Sequence, residues 1–480
     1  MSRFITNVLK LLSGSVLAQI LGILLIPIIT RLYSPGDYGV FQLFISISSI
    51  IAVMSCLSYQ LAIVLPKKDE DSVNIIALCF VLILGTSLIT GVVFILFSDF
   101  VGNMLKTPVL SQYLVFLPIV ILLNGIFLVL NNWMIRRTQF SGVATAQVTN
   151  SFITKLVQIG AGINAVSAFG LIAGHIAGLL AALFIMARQM LVDSSLLLKY
   201  SLSEMKEMAI RYKRFPLFTT WATLANTLST RVAPLLLAIF FGPTIVGHYA
   251  IAFMVIGMPM GLIGTAASQV FFQKISEVKN LSGNFKVTVE QMHKRLISIG
   301  IFPFLVVMII GEELFAFMLG AEWSVAGQYA QILAPWIFLV FISAPLSTVL
   351  LVLEKQTVSL AFNLVILVSR IIILLVGGLF FNPIVTLILF SITGVLFIGF
   401  MNFYTLSISG VCYIETLKDL FTYLALAFVI ASPIIIIKIF IVNIFIIFLI
   451  TGVIMLTYYV VVIYMDPLLK KEIGLILKRK

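Results

Sequence analysis

The sequence contains few charged residues: Asp, Glu, Lys and Arg make up 10% of its 480 residues, and hydrophobic residues make up 61%. A water-soluble domain has about 25% charged residues, so this composition excludes a water-soluble protein. Apolar runs of about 20 residues recur along the whole chain, and each is long enough to cross a hydrocarbon core as a helix. Because lipid offers no partner to backbone polar groups, such runs span a bilayer as helices.

Cysteine is also scarce, and enzyme motifs are absent. The three cysteines, Cys56, Cys79 and Cys412, lie in or beside apolar runs and lack the spacing of metal ligands or disulfides. No Walker A, His-Glu-x-x-His or Gly-x-Ser-x-Gly sequence occurs. We therefore predict no enzymatic activity, no metal site and no cofactor.

The apolar runs predict an all-α polytopic membrane protein with about 14 transmembrane helices, in two six-helix lobes and a C-terminal helix pair. The N-terminal lobe covers 1-191, and a cytoplasmic linker covers 192-215. The C-terminal lobe covers 216-406, and 407-480 contains the last two helices and a basic cytoplasmic tail. In the linker, Met205, Met208 and Ile210 alternate with basic residues, a pattern typical of an interfacial helix.

The distribution of basic residues predicts the orientation of the chain. With these spans, 24 of the 30 Lys and Arg residues lie on one side, three (Arg31, Lys106 and Lys438) lie on the other, and three lie inside helices. Because basic loops stay in the cytoplasm, we expect a multi-pass inner-membrane protein with both termini cytoplasmic. The net charge of +12 then faces anionic membrane lipid and requires no nucleic-acid partner.

An internal repeat relates the two predicted lobes. The junction at 34–41 and the junction at 242–249 share a proline, a glycine four residues later and an aromatic residue two further on. Both junctions fall on the predicted outer side, six spans apart. This spacing indicates parallel repeats related by an axis along the membrane normal, an arrangement in which lobes rock around a site at their interface.

Three cations occupy positions near the middle of predicted spans: Lys155, Arg231 and Arg370. An intramembrane charge costs about 2.5–3.5 kcal/mol on insertion scales and indicates a functional site. No Asp or Glu lies well inside a predicted span, so we expect a hydrated cationic cavity that favours an anionic substrate. The alternative for each cation is a hydrogen bond to helix-end carbonyls or to an amide.

Polar residues in the same spans extend the predicted cavity. Arg31 adds a cation on the outer side, and the uncharged candidates are Gln19, Gln60, Asn132, Asn226, Gln269 and Asn363. Amides of this kind suit the hydroxyls of a sugar. Each can equally serve as a hydrogen bond between helices, so both roles stay open for every amide.

Four segments resemble those of bacterial polysaccharide-unit flippases, which act in O-antigen and capsule assembly. They are Arg31–Phe41 at the first outer turn, Tyr59–Lys67, Tyr212–Leu217 and Ile263–Phe272. These flippases belong to the multidrug/oligosaccharidyl-lipid/polysaccharide (MOP) exporter superfamily, together with MATE transporters and lipid II flippases. The resemblance covers the first eight helices well and the last third by hydropathy alone.

The resemblance implies a two-lobed bundle that works by alternating access. Its expected function is to move undecaprenyl-pyrophosphate-linked oligosaccharide repeat units from the cytoplasmic to the periplasmic leaflet, for O-antigen (lipopolysaccharide), capsule or exopolysaccharide assembly. Its expected partners are the lipid-linked oligosaccharide, membrane lipids, a polysaccharide polymerase and a chain-length regulator. Gln60 stands where the family often has Glu, which leaves coupling to H+ or Na+ open. Two alternatives are a cation-coupled multidrug antiporter and a non-transporting membrane scaffold.

Overall fold

The computed structural model describes residues 16–190, 200–282, 285–440 and 443–465, and within these ranges the chain forms helices and turns without any strand. The predicted all-α fold is confirmed. In chain order the helices are α1 (Val16–Leu32), α2 (Pro35–Ser55), α3 (Asp69–Met104), α4 (Pro108–Leu114), α5 (Leu117–Arg136), α6 (Phe140–Ile163), α7 (Ala168–Met190), α8 (Leu202–Arg211), α9 (Thr220–Phe241), α10 (Pro243–Ser282), α11 (Lys286–Leu319), α12 (Ser324–Val352), α13 (Gln356–Phe380), α14 (Pro383–Ile408), α15 (Tyr413–Phe440) and α16 (Ile444–Met465).

Every predicted span coincides with one of these helices. Among the described residues, 11 helices are long and apolar enough to cross a membrane, and the count rises to 12 with α10, whose two parts bend by 41°. The chain is therefore built to cross a membrane many times, while the number of about 14 stays a prediction.

The chain divides into two compact units. The first contains Met1–Ala250 and Arg370–Pro383, and the second contains Ile251–Ser369 and Ile384–Lys480. The predicted division into two six-helix lobes, a linker and a terminal pair stays a prediction.

In the first unit, small residues allow α6 and α7 to pack closely. A Cβ added at Gly174 would lie 2.7 Å from the carbonyl oxygen of Thr154, and one added at Gly178 would lie 2.7 Å from that of Asn150. Both distances are shorter than any real Cβ contact, so only glycine permits this approach of the two backbones.

The linker helix α8 packs differently from the interfacial helix that the sequence predicts. Met205 and Met208 are buried, and the Tyr59 hydroxyl donates to the carbonyl oxygen of Ala209 at 2.9 Å. Residues three apart share one helix face, and this methionine face joins the core of the first unit instead of lipid. Only Ile210, 57% exposed, keeps the predicted outward position.

The second unit has an aromatic core between α10, α12 and α14. The Trp336 ring lies 5.8 Å from the ring of Phe253 and 5.2 Å from that of Phe390. A Cβ at Gly394 would overlap the Trp336 ring. The indole therefore occupies space that a glycine leaves free, as expected in close-packed interiors.

Candidate functional site

The turn between α1 and α2 contains the first segment of the family resemblance, and its residues hold three helices together. Ser34 and Asp37 form a capping box at the start of α2. Asp37 also accepts a hydrogen bond at Oδ1 from the backbone N–H of Ala168, at 3.0 Å. One carboxylate therefore supplies acceptors to the N-termini of both α2 and α7, where unpaired N–H groups favour a negative charge.

Tyr33, in the same turn, fixes α1 against α6. Its hydroxyl donates to the carbonyl oxygen of Gln158 at 2.7 Å. Burial, and then the charge of Asp37, raise the pKa of Tyr33 to about 12. The hydroxyl therefore stays protonated, and able to donate, at neutral pH.

The two junctions of the predicted repeat meet each other in the first unit. A Cβ at Gly39 would overlap the carbonyl oxygen of Pro243, and a Cβ at Gly247 would overlap that of Pro35. Each added Cβ would also lie 3.1 Å from the backbone nitrogen of the opposite glycine. The contact is reciprocal, and we call these four residues the glycine crossing. It requires glycine on both helices because the backbones touch directly.

At its other end, α2 stays close to α9. The Thr220 hydroxyl, at the start of α9, donates to the Ser58 hydroxyl at 3.0 Å. Ser58 follows α2 in a left-handed conformation (φ 60°) and is buried. Together with the glycine crossing, this bond places α9 alongside α2 at both ends.

Arg370 lies on α13 and binds the backbone of α9. Its Nη1 donates to the carbonyl oxygen of Ser229 at 2.9 Å and to the Ser229 hydroxyl at 3.2 Å. These are neutral acceptors, so they orient the guanidinium without cancelling its charge.

Arg231 is partly buried on α9, two residues beyond Ser229. Successive residues of a helix turn by about 100° and rise about 1.5 Å. Arg231 therefore projects from nearly the opposite face of α9 to Ser229, but at the same level of the bundle. Among the described residues, Arg231 has no carboxylate partner.

Lys155 belongs to a separate set of contacts on α6 and α7. Its Nζ donates to Gln158 Oε1 at 3.2 Å, and Gln158 Nε2 donates to the carbonyl oxygen of Leu171 at 3.0 Å. Gln158 is buried. Lys155 thus binds an amide, as in the alternative considered for an intramembrane cation. Its contacts are separate from those of the two arginines, which lie at one level of the bundle.

The other candidates are distributed over both units. Arg31, Gln19, Gln60, Asn132 and Asn226 lie in the first unit with Lys155, Arg231 and Arg370, whereas Gln269 and Asn363 lie in the second. Arg31, Gln19, Asn226, Gln269 and Asn363 are exposed. Asn132 Nδ2 donates to the carbonyl oxygen of Leu128 within its own helix, and Gln60 Oε1 is buried without a hydrogen-bond partner.

The sequence did not predict one ion pair near the end of α11. Glu313 lies six residues before Leu319, the last residue of that helix. Its Oε1 lies 2.8 Å from Nζ of Lys438, which belongs to α15 and not to the external loop predicted for it. Both positions are charged residues beside or within apolar runs, but nothing in the sequence relates one to the other, so only the fold reveals the pair. By contrast, the matched prolines and glycines of the repeat marked in the sequence the four residues that form the glycine crossing.

Solved structures with a similar fold include a flippase and transporters. The inward-closed lipid II flippase MurJ has a TM-score of 0.70 at 15% identity, covering 94% of this chain and 98% of that one. An inward-facing multidrug MATE transporter of the MOP superfamily has a TM-score of 0.62 at 13% identity, covering 83% and 95%. A MOP superfamily transporter from Pyrococcus furiosus has a TM-score of 0.56 at 12% identity, covering 84% and 95%. The chain therefore has the MOP superfamily fold.

The family follows from the sequence itself. Residues 28–328 match the family described as "Polysaccharide biosynthesis protein". No curated protein matches the chain in sequence. Because the match covers more than half of the 480 residues, the chain belongs to this polysaccharide biosynthesis family, and the resemblance to polysaccharide-unit exporters of the MOP superfamily is confirmed.

Proposed function

We propose that this protein is an inner-membrane flippase for undecaprenyl-pyrophosphate-linked oligosaccharide repeat units. It moves them from the cytoplasmic to the periplasmic leaflet and so supplies O-antigen, capsule or exopolysaccharide assembly. The family and the fold support transport of a lipid-linked sugar. The specific substrate rests on the charges described below, and the direction rests on the predicted orientation of the chain.

The observation that supports this proposal most is the pair of arginines at one level of α9. Arg370 contacts neutral oxygens of Ser229, and Arg231 projects from the other face of α9. Both belong to helices that can span a membrane. Retaining a guanidinium group at either place costs insertion energy, and an anionic pyrophosphate bound to it through paired hydrogen bonds would offset that cost.

The glycine crossing supports a transport cycle with a closed outer side. It joins α2 to α10 at the end predicted to face the periplasm, and the crossing has no side chains between the backbones. A contact made of backbone alone can separate and re-form without repacking long side chains. We propose that it closes the outer side while substrate enters from the cytoplasmic leaflet.

A cation-coupled multidrug antiporter is the second candidate. Such exchange uses a buried carboxylate that alternates between cations and a cationic drug. The carboxylate of Glu313 lies inside a helix but is paired with Lys438 at 2.8 Å. This pairing disfavours cation exchange there.

A non-transporting scaffold for a polysaccharide polymerase or chain-length regulator would tolerate loss of the arginine charges.

The leaflet distribution of lipid-linked repeat units tests the proposal in cells. Cells that lack the protein should accumulate these units at the cytoplasmic face and lose surface polysaccharide, and the intact gene should restore both. A scaffold would lower polymerisation without moving units to the cytoplasmic face. An unchanged distribution, in a strain without a second flippase, would reject the flippase function.

A further inference from the structure

Two ion pairs join α11 to α15 in the second unit, and their spacing is the same on both helices. Lys294 Nζ lies 3.2 Å from Asp419 Oδ1, and Glu313 Oε1 lies 2.8 Å from Lys438 Nζ. Each interval is 19 residues, from 294 to 313 and from 419 to 438. At about 1.5 Å per residue, the pairs stand roughly 28 Å apart along two parallel helices.

The order of charge is opposite on the two helices. Along the chain, α11 presents a base and then an acid, whereas α15 presents an acid and then a base. Sliding one helix by a turn would break both pairs, and reversing α15 would place like charges together. The two pairs together therefore define one direction and one register, a role for which paired charges between helices are well suited.

A proline in α11 removes the helical donor of one carbonyl oxygen, and a tyrosine of α16 donates to that oxygen instead. Pro303 has no N–H, so the carbonyl oxygen of Ile299, four residues earlier, loses its helical donor. The Tyr459 hydroxyl of α16 donates to this oxygen at 3.0 Å. Beside it, the Tyr458 hydroxyl donates to the carbonyl oxygen of Ser298 at 2.9 Å.

The second irregular point of α11 also has a donor from a neighbouring helix. Ile310 has non-helical torsions (φ −121°, ψ 20°), which interrupt the helix. Lys438 Nζ, besides pairing with Glu313, donates to the carbonyl oxygen of Ile309 at 2.9 Å. Each break in α11 is therefore matched by a donor from α15 or α16. Without the Tyr459 hydroxyl, the Ile299 oxygen would lack its donor in an apolar environment, which is costly.

We propose that α15 and α16 form a brace that holds α11 in its twice-interrupted shape, and that the three helices move as one body. The C-terminal pair is then a fixed part of the second unit and does not open or slide as a gate. This goes beyond the proposed flippase function, because it concerns the mechanics of the unit and not its substrate.

Charge reversal in the full chain tests the ion pairs. We expect Lys438→Glu to lower Tm in detergent by several degrees, and Glu313→Lys with Lys438→Glu to recover the part that comes from the ion pair but not the part that comes from the bond to the Ile309 carbonyl. Lys294→Asp should likewise lower Tm, and Lys294→Asp with Asp419→Lys should recover most of that loss. The crossed control, Lys294→Asp with Lys438→Glu, reverses the same number of charges but restores no pair, and should recover nothing. Matched doubles that are as unstable as the sum of their singles would overturn the proposal.

A second cycle tests the tyrosine contact. Tyr459→Phe should lower Tm, whereas the control Tyr464→Phe, at a 69% exposed position of the same helix, should change it little. In a Pro303→Ala background, residue 303 regains an N–H for the Ile299 carbonyl. The Tm loss from Tyr459→Phe should then shrink by at least half. An equal loss in both backgrounds would contradict a role in satisfying that carbonyl.

Cross-linking tests whether the three helices move together. In a Cys412→Ser background, we expect a short bismaleimide bridge between Lys294→Cys and Asp419→Cys to leave export of lipid-linked oligosaccharide at the level of the unbridged protein. A selective loss of export on bridging would show that α15 must slide, and would overturn the brace. The two thermal cycles need no transport activity, so failure of the flippase proposal and failure of the brace are distinguishable.

Discussion

At the scale of single residues, the three cations of the spans differ in what holds them. Arg370 binds neutral oxygens of α9, Arg231 lies at the same level without a described carboxylate partner, and Lys155 binds an amide that is itself part of helix packing. The two arginines lie at one level of the bundle, whereas the Lys155 ammonium is bound to an amide that also joins α6 to α7. The cations should therefore contribute unequally to transport.

Substitution of the arginines should impair export most. Hydrogen bonds to charged groups contribute about 1.5–3 kcal/mol, so Arg231→Gln or Arg370→Gln should reduce export by about tenfold or more. Lys155→Gln should reduce it less. Export is measured as surface polysaccharide at matched expression of each variant. Wild-type export from all three variants would contradict a cationic site.

The glycine crossing makes a second residue-scale prediction. In Gly39→Ala or Gly247→Ala, the new methyl group overlaps a backbone carbonyl, and such overpacking costs about 1–3 kcal/mol. We expect outer-side cysteine probes to react faster and export to fall. Gly257→Ala is the matched control, because nothing lies within 4 Å of the added methyl group on the same helix. Equal behaviour of the three variants would show that the crossing does not close the outer side.

At the scale of helices, Asp37 connects two N-termini. Loss of an N-cap costs about 0.5–2 kcal/mol, and Asp37 serves both α2 and α7. We predict that Asp37→Ala lowers Tm more than Ser34→Ala, which affects the α2 cap alone. A smaller loss for Asp37→Ala, measured on the purified full chain, would argue against the shared cap.

Helix positions followed from the sequence more completely than helix contacts did. Hydropathy sets where a span lies but not where its helix ends, so each predicted span coincides with a helix whose ends differ from the predicted ones. It does not set which way a residue faces. Met205 and Met208 face the protein core instead of lipid, and Arg370 approaches the face of α9 opposite to Arg231. Facing depends on tertiary packing, which one sequence does not contain.

Long-range pairs were beyond the sequence for the same reason. Glu313 and Lys438 are 125 residues apart, and each looks like a helix-end charge until α11 and α15 are packed together. The repeat was an exception, since matched Pro and Gly residues at 35–39 and 243–247 marked two segments that the fold brings into contact. Internal symmetry is therefore a long-range signal that this sequence contains.

At the scale of the whole molecule, the distribution of basic residues predicts orientation. In a Cys412→Ser background, we expect Asn164→Cys to react with a membrane-impermeant maleimide in intact cells. Lys67→Cys, on the predicted cytoplasmic side, should react only after the cells are opened; both positions are exposed. The opposite pattern would invert the topology and with it the proposed direction of transport.

The proposed flippase function predicts that the purified protein moves a lipid-linked oligosaccharide across a bilayer and that this transfer depends on Arg231 and Arg370. The most direct measurement reconstitutes the purified protein into vesicles that contain fluorescent polyprenyl-pyrophosphate oligosaccharide. A sugar-directed, membrane-impermeant reagent then measures how much substrate reaches the outer leaflet. We predict transfer with the wild-type protein and loss of transfer with Arg231→Gln/Arg370→Gln, while Lys155→Gln keeps most of it. Equal transfer by empty vesicles and by all protein variants would contradict both the flippase function and the role of the two arginines.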